Sequence, residues 1–204
     1  MKVVWIAVTA LVVVLGGASL WLYFELDSIQ ERYEREFAVA QATLRALDDR
    51  FSFEPRAELA PERFDAYLRA RAAPGEVYAR RSKESSSDLY HGHGTQIEML
   101  DALAAALEKE SMSLQEYVAF GRRLRAVLAT ATAAGSDPAL TALAASWRKE
   151  LATERSPEGP PLTEPATPPP PSDRLLVTAR AAAVQASMHG DMLILIVERI
   201  ALSR

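Results

Sequence analysis

Twenty-two consecutive residues close to the start, Val3 to Phe24, carry no formal charge. As a helix at about 1.5 Å per residue the run would be ~33 Å long, matching the roughly 30 Å hydrocarbon core of a bilayer. It reads as a single membrane-crossing anchor. Lys2 and the amino terminus precede it, whereas Glu25 and Asp27 follow it. The positive-inside rule then puts the N-terminus in the cytoplasm and the rest outside it. Trp21, Tyr23 and Phe24 stand where an aromatic belt would form. A cleavable signal peptide is the alternative, with Gly16, Gly17 and Ala18 as the small-residue site. The apolar run continues past that site to Phe24, longer than the roughly 7 to 15 residues of a signal core.

About 180 residues follow, enough for one domain with its own core. The formal charge is −4, and subtracting Lys2 leaves −5 beyond the anchor. Without a dominant basic patch, nucleic acid is excluded as a partner. No cysteine is present, which removes disulfides, thiolate metal sites and lipid-modified cysteine. Abundant alanine and sparse glycine favour helix over sheet, so the expected class is all-α.

Leu26, Ile29, Tyr33, Phe37, Ala40, Leu44, Leu47 and Phe51 recur at three- and four-residue spacing, a heptad-like seam. The anchor is therefore expected to continue as helix to about Arg50. The seam is expected to lie against the rest of the chain, with a homodimer along Leu26–Phe51 as the alternative. Pro61 opens the next helix, on which Phe64, Tyr67, Leu68 and Arg71 share a face. Pro74-Gly75 should break or kink it, and Ser82 to Gly94 has loop composition.

Thr95 with Glu98, and Ser113 with Glu116, have capping-box spacing, and Met112 with Tyr117 that of a hydrophobic staple. They predict two helices with inward residues Ile97, Leu100, Leu103, Ala104 and Leu107, then Tyr117, Phe120, Leu124, Val127, Leu128 and Ala131. Asp137-Pro138 starts another, with Leu140, Leu143, Ala144, Trp147 and Leu151 inward. Eight of the seventeen residues from Ser156 to Ser172 are proline, composition of an extended spacer. A proline-reading partner is its functional alternative. Ser172 or Asp173 would cap one final helix to about Leu202, and Met192 to Val197 must be buried, as helix or as strand. The expected plan is an anchor at 1–26, a membrane-proximal bundle at 27–155, a Pro-rich linker at 156–172, and a C-terminal helix at 173–204 packing back on the bundle.

His91, His93 and Asp88, with Glu98, His189 and Asp191 in reserve, offer imidazole and carboxylate ligands for zinc or a similar metal. Most simply, the two loop histidines face solvent. Neither a nucleophile elbow nor a phosphate-binding glycine loop is present, and no cofactor is expected. Arg122 and Arg125, one turn apart, could hold an acidic partner or an anionic head group, or balance nearby acids on a solvated face.

Phe64-Asp65-Ala66-Tyr67-Leu68-Arg69-Ala70 resembles part of the signature of membrane-anchored lipase-specific foldases. Pro61 stands where that signature has arginine and Ala66 where it has an aromatic, and the proline tract here comes late. The resemblance implies a tethered chaperone in which Phe64, Asp65 and Tyr67 contact a secreted client. The residues themselves point first to a non-catalytic scaffold of the bacterial inner membrane, its bundle in the periplasm and its partner an envelope protein. A metal-binding module or enzyme at His91 and His93 is the competing class.

Overall fold

The computed structural model describes residues 27–55, 58–83, 91–131, 137–153, 168–188 and 193–202, with side chains 91–93, 150–153 and 195 outside the description. Among these residues every regular element is helical, as the all-α reading expects. No described helix is long and apolar enough to cross a membrane. The run Val3 to Phe24 lies outside the described residues.

The chain divides into two units, Met1–Val39 and Ala40–Arg204. Helix α1 covers the described residues 27–50. In the first unit its charged face forms local pairs, Gln30 Nε2 donating to Glu34 Oε1 at 3.0 Å. The Tyr33 and Phe37 rings lie 5.8 Å apart on its apolar side. In the second unit the later seam positions Ala40, Leu44 and Leu47 are buried.

The second unit continues with α2 (Pro61–Arg81), α3 (His91–Lys109), α4 (Leu114–Thr130), α5 (Pro138–Thr153), α6 (Pro171–Ala179), α7 (Ala181–Ala186) and α8 (Ile194–Leu202). α2 packs along α3, and α4 is in contact with α2, α5, α6 and α8. Its interior follows the expected stripes: Leu100, Leu103 and Leu107 on α3, Tyr117, Leu124, Val127 and Leu128 on α4, and Leu140, Ala144 and Trp147 on α5 are all buried. Burying a large apolar side chain contributes about 1.5–3 kcal/mol, so these stripes are the main favourable contribution to closing the bundle.

Four local expectations are corrected. Pro74-Gly75 does not end α2, which runs through both residues to Arg81. A proline inside a helix removes the hydrogen bond to the carbonyl four residues earlier. Pro74 and Gly75 are both buried, and the packing of α2 on α3 keeps the helix continuous.

Helix α3 begins at His91 rather than after a Thr95 cap, so His91 to Gly94 are helical and not loop. Glu98 is not bent back to cap the helix; Arg81 takes it by Nε to Oε2 at 2.7 Å, and Arg80 lies 3.3 Å from Oε1.

The capping box at α4 is half formed. Ser113 Oγ accepts from the Glu116 N–H at 3.0 Å, while both Glu116 carboxylate oxygens turn to Arg63.

The C-terminal segment is three helices instead of one. It starts at Pro171, and α6 and α7 are separated at Arg180, whose φ of −110° leaves the helical range. Nothing in the local sequence requires a break there; the turn coincides with Arg180 reaching across to Asp65 on α2. Ser172 does not cap α6, and the Asp173 carboxylate turns outward to other elements. From Ile194 the apolar run is helical, with Ile194 and Val197 buried, as is Leu193 just before it.

Candidate functional site

The polar chemistry of the bundle concentrates where α2 and α4 meet the α3–α4 connection. Helix α3 ends in a Schellman turn: Met112 N–H donates to Leu107 O at 2.9 Å and Ser111 N–H to Glu108 O at 3.1 Å. Ser111 takes the left-handed position, φ 51°, where glycine is usual. Leu107 and Met112 are both fully buried, the apolar contact this motif favours.

Arg63, in the first turn of α2, locks this turn. Its Nε and Nη2 donate to Glu116 Oε1 and Oε2 at 2.8 and 2.5 Å. Nη1 donates to Glu110 O and Nη2 to Ser111 O, each at 3.1 Å. One guanidinium thereby serves the exposed carbonyls of one helix end and the acid in the first turn of the next. The hydrogen bond to Glu116 raises the Arg63 pKa further above its already high value. Beside it Arg69 makes a second two-point pair with Glu110, which holds that carboxyl below its ordinary value.

A second cluster fastens the segment after the proline tract. Asp173 is fully buried; Oδ1 accepts the Leu59 N–H at 2.9 Å and Oδ2 accepts Arg123 Nε at 2.9 Å and Nη2 at 2.5 Å. Arg180 pairs with Asp65 at 2.6 and 2.9 Å, and this hydrogen bonding lowers the Asp65 pKa. Arg71, fully buried, donates to Val184 O at 3.3 Å and Ser187 Oγ at 3.0 Å at the C-terminal end of α7, where carbonyl dipoles favour a cation. Glu198 of α8 accepts from Arg122 Nε at 3.2 Å and from Arg125 Nη2.

The sequence candidates are distributed as follows. Phe64 and Tyr67 are fully buried in a ring cluster with Tyr117 and Phe120, centroids 5.1 to 6.3 Å apart. Asp65 faces Arg180, and Arg122 and Arg125 share one acid, Glu198. Asp88, His189 and Asp191 lie outside the described residues; His91 and His93 are in the first turn of α3, their side chains outside the description. Among the described residues no group of three potential ligands stands together as a metal site.

Sequence reasoning missed Arg63, Glu116 as its partner, Asp173, Arg180 and Glu198. Their one sequence signal is position: each stands beside an apolar stripe, at the edge where neighbouring helices come within reach.

Between these clusters lies a cleft of about 590 Å³, walled by residues 52–55 and 58–60 on one side and by α2 and α4 on the other. Phe53, Leu59, Ala119 and Phe120 supply its apolar surface; Arg63, Arg122, Arg123, Glu54, Glu58 and Glu116 supply its charge. Its volume is within the range of ligand sites. No family of known proteins, no curated protein and no solved structure matches this chain.

Proposed function

We propose that this chain is a membrane-tethered, non-catalytic scaffold that presents its helical bundle to another protein of the cell envelope. The observation that supports it is the use of charge. Arg63, Arg69, Arg81, Arg123, Arg125 and Arg180 each clamp one helix or connection to another by an acid. Groups committed to ion pairs of this kind hold elements in register and are poor proton donors or acceptors for chemistry.

The tether rests on the sequence from Val3 to Phe24, with Lys2 before it and Glu25 and Asp27 after it. In this reading the anchor sits in the inner membrane, the N-terminus is cytoplasmic and the bundle is periplasmic. A second copy pairing along the seam would have to use the stretch before Ala40, since Ala40, Leu44 and Leu47 are buried within their own unit.

The test is photocrosslinking in intact membranes, with a photoreactive side chain at exposed Leu175 or Leu202. A discrete adduct with one envelope protein is the expected result. Absence of any adduct, together with release of the chain from membranes by alkaline carbonate, would contradict both the partner and the tether.

A further inference from the structure

We draw no further inference here: the strongest candidate, the cleft between residues 52–55 and 58–60 and helices α2 and α4, is lined by three arginines and three glutamates that favour no one charge of ligand, and nothing in the structure shows what covers it.

Discussion

Arg63 and Glu116, 53 residues apart in sequence, meet through two parallel hydrogen bonds of 2.8 and 2.5 Å while Arg63 also caps the two carbonyls that end α3. The Glu116 side chain is almost fully enclosed, and Arg63 donates to both of its carboxylate oxygens. Arg63→Met should therefore destabilise the bundle by about 3–5 kcal/mol, the cost of leaving a buried charge without its counterion. Arg63→Met combined with Glu116→Leu should be no worse than Arg63→Met alone, because no stranded charge remains. Urea unfolding of the three proteins checks the order.

Gly121 lets α8 approach α4 closely. A Cβ added there would stand 3.0 Å from Ile194 Cδ1 and 3.4 Å from the Tyr67 hydroxyl. Alanine would gain about 1 kcal/mol of helix propensity and lose part of it in shifting the end of Ile194. Gly121→Ala should stay within about 1 kcal/mol of the parent, whereas Gly121→Leu should cost about 1–3 kcal/mol or more. Truncating Ile194 to valine in the alanine variant should recover stability if this contact is the limiting one, and thermal melts read the difference.

Ser111 holds a left-handed φ of 51° at the end of α3. Ser111→Gly should raise stability by about 0.5–1 kcal/mol, as glycine enters that region without a Cβ penalty and loses only part of the gain to its more flexible unfolded chain. A lower melting temperature would mean that the serine side chain makes a compensating contribution.

Low pH should loosen the bundle by a defined route. Asp65, Glu98 and Glu110 are held below their ordinary values of 3.8, 4.5 and 4.5, each chiefly by a hydrogen bond from Arg180, Arg81 or Arg69. A carboxyl with a lowered folded pKa binds its proton less readily in the folded chain than in the unfolded one. Its stabilisation is therefore present above the ordinary value and is lost as pH falls through the lowered one. The Asp65, Glu98 and Glu110 side chains are 32 %, 37 % and 14 % exposed and their arginine partners 39 %, 37 % and 60 %, so water reaches each pair and each contribution is small and salt-screened. Stability should be flat near neutrality and decline below about pH 4, with a shallower decline in the Asp65→Asn/Arg180→Gln variant.

The helices were legible because their stripes are strong. Leu100, Leu103 and Leu107, or Tyr117, Leu124 and Leu128, repeat at helical spacing and are buried as that spacing requires. Helix ends were less legible because tertiary partners compete for the same side chains. Glu98 and Glu116 have the spacing of capping residues, yet arginines from α2 take both carboxylates. Pro74 reads as a breaker in isolation, and only the packing of α2 on α3 keeps that helix whole. The break at Arg180 had no local signal at all.

The site was still harder to read. Phe64 and Tyr67 look like an exposed signature in a line of text, but their ring contacts with Tyr117 and Phe120 put them inside. Asp173 lies two residues past the proline tract and reads as a cap; its real partners are Leu59 and Arg123, 114 and 50 residues away. Long-range pairs of this kind leave no periodic trace in a single sequence.

Charge in this chain fastens the fold, above all by closing the C-terminal segment onto the bundle. A double-mutant cycle on Asp173 and Arg123, read by urea unfolding of the full chain, measures that directly. With Asp173→Asn, Arg123→Gln and the double variant, a coupling of about 1.5–3 kcal/mol or more is expected for a charge pair with a fully buried acid. A coupling near zero, with Asp173→Asn as stable as the parent, would contradict it.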